Sequence, residues 1–204
     1  MLILEDMFAA AVLVAYLAGS IPFGVLVARA RGIDLQQHGS GNIGATNAAR
    51  VLGKWFGVLV LVCDAAKGYL PVWGARLWLE PRLGEGAYGP WAVAAVGAAA
   101  FLGHLASPWL RFRGGKGVAT ALGVFLALTP WPTLIAVAVF AAVYALWRLS
   151  SLGSLAAATV FPPAVWLFKE SPPVLALAIA LWLLIVFKHR GNIQRLLRRS
   201  EHKV

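Results

Sequence analysis

A polar, glycine-rich segment at residues 38–50, with the sequence HGSGNIGATNAAR, has the residue types needed to bind an anion. Glycine has no Cβ, so Gly39, Gly41 and Gly44 allow tight turns and a close approach of the backbone to a ligand. Successive backbone N–H groups in such a loop form a concave anion site. Polar side chains are interspersed: Ser40, Asn42, Thr46, Asn47 and Arg50. The spacing differs from a nucleotide P-loop, so ATP is not indicated, and the alternative is a flexible connection between helices.

A second cluster, RFRGGKG at residues 111–117, places a lysine among glycines. Lys116 follows Gly114 and Gly115 and precedes Gly117, just before an apolar segment. The exposed N–H groups at a helix N-terminus, with a lysine beside them, are suited to bind a phosphate. The sequence therefore predicts a second anion-binding element here.

Two further sets of polar residues recur at a spacing of three, which places each set on one helix face. One follows the last apolar segment and comprises His189, Asn192 and Arg195; the other begins a helix and comprises Ser151 and Ser154. Basic residues at the ends of spans often serve only as topology anchors, the role expected for Arg198, Arg199 and Lys203. The combination of histidine, asparagine and arginine on one face favours a functional role.

Asp64 and Lys67 lie within an otherwise apolar segment. An ionisable group there costs roughly 2.5–3.5 kcal/mol even on the lenient insertion scale. Their spacing of three allows them to pair on a helix. Two interpretations stay open: a structural ion pair, or a pair whose Lys67 lines the bottom of an anion pocket.

The elements that position these clusters are predicted to be membrane-spanning helices. The 204-residue chain is 60% hydrophobic and only 13% charged, with a mean hydropathy of +0.77. A spanning helix needs about 20 apolar residues, and such runs recur at residues 8–28, 55–79, 90–110, 118–146, 152–168 and 172–187. The first run lacks a cleavage site and reads as a retained helix, not a signal peptide.

The run at 118–146 is too long for one span. As a single helix it would extend roughly 43 Å, against a bilayer core of about 30 Å. The sequence Thr129-Pro130-Trp131-Pro132 lies near its middle, and two close prolines break a helix. We expect two helices, the first of them short, in a hairpin that either crosses the membrane or only enters it. The prediction is an all-α polytopic bundle of about seven spans in one domain, 1–204.

Charge asymmetry orients this bundle. With seven spans, one side holds residues 29–54, 111–117, 148–151 and 188–204, which contain 14 of the 18 Lys and Arg residues and sum to +12. The opposite side sums to −2 and includes Glu80, Glu85 and Glu170. The positive-inside rule makes the basic side cytoplasmic, with the N-terminus outside and the C-terminus inside. All four polar clusters then face the cytoplasm, and the basic excess is no sign of nucleic-acid binding.

Metal and redox sites are not indicated. Cys63 is the only cysteine, so no disulfide can form within the chain. The four histidines show no ligand spacing, and His104 is expected to make a helix-positioning hydrogen bond. No metal, cofactor or protein partner is therefore expected.

The motifs, in order, are GSIPFG, HGSGNIGATNAAR, Asp64 with Lys67-Gly68, GH followed by FRGGKGVAT, and HRGNIQRLL. Together they strongly resemble the bacterial acyl-phosphate:glycerol-3-phosphate acyltransferases over nearly the entire chain. The resemblance implies a seven-helix protein of the bacterial cytoplasmic membrane with its active site at the cytoplasmic face. It implies transfer of a fatty acyl group from acyl phosphate to the 1-hydroxyl of sn-glycerol 3-phosphate, giving lysophosphatidic acid and phosphate.

The resemblance also assigns residues. The catalytic set is Ser40, Arg50, Lys116, His189 and Asn192. The substrate-binding set is Gly41, Asn42, Gly44, Thr46, Asn47, Lys67, Gly114, Gly115, Gly117, Ser151, Ser154 and Arg195. The alternative is a transporter or channel for an organic phosphate, although a carrier usually binds near the midplane between repeats.

Overall fold

The computed structural model describes residues 2–83 and 88–203, and every regular element in these ranges is helical. The all-α prediction is confirmed. The helices are α1 (Leu2–Ser20), α2 (Phe23–Arg29), α3 (Ala45–Leu52), α4 (Lys54–Trp78), α5 (Glu80–Leu83), α6 (Tyr88–Leu105), α7 (Val118–Leu128), α8 (Pro130–Trp147), α9 (Ser150–Leu167), α10 (Pro172–Lys188) and α11 (Arg190–Leu197). Short 3₁₀ turns lie at Leu35–Gln37 and Pro108–Leu110.

Five helices in the described ranges are long and apolar enough to cross a membrane: Leu4–Arg29, Lys54–Trp78, Tyr88–Leu110, Pro130–Trp147 and Ser150–Leu167. A sixth is α10, if it forms one span with α11, from which it is bent by 59°. The remaining apolar helix, α7, is short, as predicted for the first half of 118–146. Each predicted apolar run therefore contains a helix. The count of seven spans and the orientation stay predictions, and Glu85 of the charge count lies outside the described residues.

Prolines explain two helix boundaries. α7 ends at Leu128 and α8 begins at Pro130, so the predicted break is confirmed. Pro130 and Pro132 lie in the first turn of α8, where backbone N–H groups have no partner within the helix, so proline costs no hydrogen bond there. The first span is also broken, between Ser20 and Phe23, at Ile21-Pro22. The apolar run at residues 8–28 predicts a single helix there, whereas the break exposes backbone carbonyls that another group must bind.

The chain divides into two compact units, Met1–Leu128 and Thr129–Val204. In the first unit, glycines allow helix backbones to pack in direct contact, as small residues do in membrane helices. A Cβ at Gly19 of α1 would overlap the carbonyl of Ala100 on α6, and a Cβ at Gly103 would overlap Tyr16. α1 and α6 therefore pack backbone to backbone.

α4 connects the two predicted anion-binding elements of the first unit. Gly57 packs on Ala49 of α3, and Gly68 packs on the carbonyl of Thr120 in α7. Eleven residues separate these glycines, or about 16 Å along the helix. At the far end of α7, Arg76 Nη1 donates a hydrogen bond to the Ala127 carbonyl at 2.6 Å. α4 thus fixes both α3 and the short helix α7.

The second unit is built from α8 to α11. α9 and α10 are joined by a short connection and run antiparallel; the indole N–H of Trp182 donates to Thr159 Oγ1 at 3.3 Å. Ser151 lies eight residues before Thr159 in α9, and His189 lies seven residues after Trp182, at the end of α10. Because both helices rise about 1.5 Å per residue, these two residues lie at the same end of the pair.

Candidate active site

Asn47 organises the first glycine-rich loop. Its side chain is 1% exposed. Its Oδ1 accepts a hydrogen bond from the backbone N–H of Ser40 at 2.8 Å. Its Nδ2 donates to the carbonyls of Leu35 and His38 at 3.2 and 3.0 Å. Asn47 is predicted from the sequence to be a substrate ligand, whereas this geometry favours a role in holding the loop.

Glycine is required at two turns of this loop. Gly39 and Gly41 have φ values of +61° and +68°, a region that other residues rarely adopt. A Cβ at Gly39 would also overlap Oδ1 of Asn47. Further along, Oδ1 of Asn42 accepts from the N–H of Gly44 at 2.9 Å, and Gly44 precedes the first residue of α3. The loop is thus an ordered turn rather than the flexible connection that was the alternative.

Polar side chains lie at the loop tip and on one face of α3. Ser40 is exposed, and Thr46 and Arg50 are half-buried. Thr46 and Arg50 are four residues apart on α3, so they share a face, while Asn47 and Ala48 point into the protein. Within the described ranges, Arg50 forms no ion pair with a carboxylate. A hydroxyl and a guanidinium are therefore presented beside a rigid loop.

The second glycine loop is hydrogen-bonded to the last turn of α6. The N–H of Gly114 donates to the carbonyl of Leu105 at 3.1 Å, and that of Gly115 to His104 at 3.2 Å. Gly117 has a φ of +84°, and a Cβ there would overlap the Phe101 ring. This loop places half-buried Lys116 two residues before α7 begins. A lysine directly before a helix N-terminus is the predicted arrangement.

The structure brings the two loops together. An added Cβ at Gly115 would lie 3.2 Å from Cγ1 of Ile43, which belongs to the first loop. Ile43 is 4% exposed, and its carbonyl packs against Gly24 of α2. The loop carrying Ser40 and the loop carrying Lys116 are therefore neighbours within the first unit, which gives this unit two cations beside backbone N–H groups.

The Asp64–Lys67 pair forms as predicted. Lys67 Nζ lies 2.8 Å from Asp64 Oδ1, and both side chains are 3% exposed. The same ammonium donates to the carbonyl of Ile21 at 2.7 Å, at the break in the first span, and lies 5.7 Å from the centre of the Phe23 ring. Lys67 thus binds a carbonyl at the break between α1 and α2, which also accepts the N–H of Phe23 at 3.1 Å. This geometry favours the structural interpretation over a direct substrate contact.

In the second unit, Ser151 and Ser154 lie in the first turns of α9 and both are buried. Ser154 Oγ donates to the carbonyl of Ser150 at 2.8 Å. Ser151 Oγ is buried and has no hydrogen-bond partner among the described residues. A buried hydroxyl without a partner is costly and points to a ligand group.

Asn192 and Arg195 lie three residues apart on α11, and His189 is the residue directly before this helix. The chain bends at His189, whose Nδ1 lies 2.8 Å from the Ile185 carbonyl. Glu201, which sequence reasoning missed, connects the other two: Asn192 Nδ2 and Arg195 Nε donate to its carboxylate at 2.8 and 2.9 Å. The sequence feature that could have identified Glu201 is that it is the only acidic residue in the basic segment 188–204. The carboxylate orients the amide and the guanidinium.

No group of three or more metal-ligating side chains occurs in the ranges that the structure describes. The residues near the loops are hydroxyls, amides and cations, which suit phosphate oxygens better than a divalent metal. The independence from metals stays a prediction.

Comparisons with known proteins agree with this geometry. Residues 9–199 match the protein-family model described as glycerol-3-phosphate acyltransferase. The chain is 50% identical over 198 residues to the glycerol-3-phosphate acyltransferase of Myxococcus xanthus (strain DK1622), covering 97% of this chain and all of that one. It is 51% identical over 203 residues to that of Anaeromyxobacter dehalogenans (strain 2CP-C), covering 95% and 96%.

Two crystal structures are similar over nearly the whole length. They are the glycerol 3-phosphate form and the lysophosphatidic acid form of PlsY (YgiH), an integral membrane glycerol 3-phosphate acyltransferase. Each is 38% identical to the chain and covers 97% of it; the TM-scores are 0.89 and 0.87, with 96% and 95% of the PlsY chain covered. The three comparisons agree: the family model matches most of the chain, two relatives are about 50% identical to it, and the fold is shared with PlsY. The chain belongs to the glycerol-3-phosphate acyltransferase family.

Proposed function

We propose that the protein is a multi-pass enzyme of the bacterial cytoplasmic membrane that acylates the 1-hydroxyl of glycerol 3-phosphate, with acyl phosphate as donor. The observation that carries this proposal is the pair of glycine loops that meet at Ile43 and Gly115 and present Arg50 and Lys116. Both substrates carry a phosphate, so the reaction needs two anion-binding elements. Acylation of glycerol 3-phosphate also agrees with the names of the relatives and with the two forms of PlsY.

This reaction depends more on the orientation of its two substrates than on acid–base catalysis. The hydroxyl oxygen of glycerol 3-phosphate attacks the acyl carbonyl carbon, and the carbon–oxygen bond to phosphate breaks. Acyl phosphate is a mixed anhydride and is already activated, so orientation and charge stabilisation suffice for a large part of the rate. The hydroxyl proton passes to a phosphate oxygen of the substrate. The products are lysophosphatidic acid and inorganic phosphate.

Roles are assigned to the residues of each unit from that unit's own geometry. Arg50 and Lys116 bind phosphate oxygens through charge-assisted hydrogen bonds. The N-termini of α3 and α7, which follow the two loops, add backbone donors. Ser40 at the loop tip and Ser151, with its unpartnered hydroxyl, hydrogen-bond to substrate oxygens. Asn192 is held for the same purpose by Glu201. His189 is buried at the bend after α10 and contributes to binding there.

The site faces the cytoplasm, because the clusters fall on the side whose residues sum to +12. Neither a metal ion nor a partner protein takes part, while the surrounding lipids receive the acylated product. A transporter of organic phosphates would also have cations at one membrane face. Membership of an acyltransferase family and loops that meet in one unit favour the enzyme.

The test is turnover by the purified protein. Wild-type protein in detergent is incubated with palmitoyl phosphate and labelled glycerol 3-phosphate, and the lipid product is separated by chromatography. We expect lysophosphatidic acid and phosphate in equal amounts, at a rate that chelators leave unchanged. Palmitoyl-CoA replaces palmitoyl phosphate as the control donor. Product from the CoA ester alone would contradict the proposed donor, and uptake into vesicles without product would favour the transporter.

A further inference from the structure

His104 is a buried histidine that the proposed reaction does not use. It lies in the last turn of α6 and is 4% exposed. One edge of its ring, Nδ1, lies 3.8 Å from Oδ1 of Asp64 on α4. The other edge, Nε2, faces Gly115, where an added Cβ would overlap it. The ring therefore fills the space between a buried carboxylate and the Lys116 loop.

His104 contacts that loop through its backbone as well. Its carbonyl accepts the N–H of Gly115 at 3.2 Å, and a Cβ at Gly114 would overlap the same carbonyl. The two residues that directly precede Lys116 thus both lie against His104. The imidazole and the carbonyl of His104 therefore both lie against the backbone that leads to Lys116.

The opposite edge of the ring lies beside a chain of buried polar groups. Asp64 pairs with Lys67 at 2.8 Å, and Lys67 binds the carbonyl of Ile21 at 2.7 Å. The 3.8 Å between Nδ1 and Oδ1 of Asp64 is longer than a hydrogen bond, so the carboxylate acts on the ring through its charge, which favours the tautomer with the proton on Nδ1. The ion pair in the middle of α4 therefore has a structural path to the Lys116 loop.

We propose that His104, oriented by Asp64, is a positioning residue that holds Gly114, Gly115 and Lys116 in the conformation that binds a substrate phosphate. This inference rests on the proposed function. The loop offers phosphate donors on a glycine backbone, which has little stiffness of its own. A supporting side chain must therefore fix it, since a shift of about 1 Å in a positioned group can cost roughly a hundredfold in rate.

The experiment compares three substitutions that keep different edges of the ring. The amide of His104→Gln reaches toward Gly115 in the manner of Nε2, whereas that of His104→Asn reaches only toward Asp64 in the manner of Nδ1. His104→Ala removes both edges. The matched control is His202→Gln, a histidine exposed in the C-terminal tail. For each protein, kcat, the KM for acyl phosphate, the KM for glycerol 3-phosphate and the melting temperature are measured.

We expect His104→Asn and His104→Ala to raise the KM for one of the two phosphate substrates about tenfold, with the other KM within about twofold of wild type. His104→Gln should restore most of this loss. Equal KM values in the Gln and Asn variants would overturn the proposal. A fall in kcat alone, or failure of all three variants to fold, would also overturn it and assign His104 to helix packing. Turnover by the wild type and His202→Gln reports separately on the proposed function.

Discussion

Replacing Asn47 tests whether its buried amide holds the first glycine loop or binds substrate, as the sequence predicts. Asn47→Ala removes the three hydrogen bonds to Ser40, Leu35 and His38. Asn47→Asp keeps the acceptor for the Ser40 N–H but turns a second oxygen toward two carbonyls. The two variants therefore remove different parts of the same contact.

The expected loss of stability follows from these partners. A hydrogen bond contributes about 1 kcal/mol net, and more when a buried group is left without a partner. Ser40 and His38 are exposed, so water can replace their bonds, whereas Leu35 is fully buried. We expect Asn47→Ala to cost about 2 kcal/mol, which corresponds to a decrease in melting temperature of roughly 4–8 °C. Asn47→Asp should cost more, because it buries a charge against carbonyl oxygens.

The assay pairs thermal unfolding with initial rates for the same purified samples. The control is Gln36→Ala, an exposed position in the 3₁₀ turn that precedes the loop. Because the loop positions Ser40, we expect kcat/KM to fall at least about tenfold in Asn47→Ala, equivalent to about 1.4 kcal/mol. Both quantities should fall together. Lost activity at an unchanged melting temperature would refute the loop-holding role and restore the direct substrate contact.

Three further predictions follow from the site and the topology. Lys116→Ala and Arg50→Ala should each lower turnover roughly ten- to a hundredfold with a wild-type melting temperature, whereas Arg198→Ala should be nearly silent; a melting temperature lowered in step with activity would contradict the phosphate role. Glu201→Gln should lower stability and turnover together, because Asn192 and Arg195 lose a shared carboxylate, and a stable but inactive variant would oppose this. The orientation is tested with single cysteines at exposed positions in a Cys63→Ala background. Cysteines at Ser40, Arg113 and Arg190 should react with an impermeant thiol reagent only in inside-out vesicles, and one at Lys169 only in intact cells. The reverse pattern would refute the orientation.

Hydropathy predicts the helices well because it is a local property of the chain. Proline placement is a weaker guide, since Pro71 lies inside α4 and Pro162-Pro163 inside α9 without ending either helix. Each apolar run contains a helix, and α7 and α8 separate at Thr129-Pro130 as expected. The break at Ile21-Pro22 is a harder case, since one proline in a span often leaves a kinked helix intact. Here Lys67, 46 residues away, binds the carbonyl that the break exposes. A contact between residues so far apart in the chain cannot be predicted from a local sequence pattern.

The candidate site was predictable in its residue types but not in their division of labour. Glycine spacing and cations identify the loops at residues 38–50 and 111–117. Nothing in the local sequence distinguishes Asn47, which is 1% exposed, from Ser40, which is exposed. Likewise the sequence predicts only a helix-positioning role for His104, because Asp64 and Gly115 become its neighbours only after α4 and α6 pack.

The buried polar groups of this protein are used mainly to hold backbone and ligand-binding side chains in place. Asn47 holds the first loop, His104 lies against the second, and Glu201 binds Asn192 and Arg195. An activated acyl donor requires orientation of two phosphates more than a strong base, and orientation depends on rigid support. Glycine loops accept phosphate closely but are flexible in isolation. The supporting amide, imidazole and carboxylate are therefore as much a requirement of the chemistry as the cations that contact the substrates.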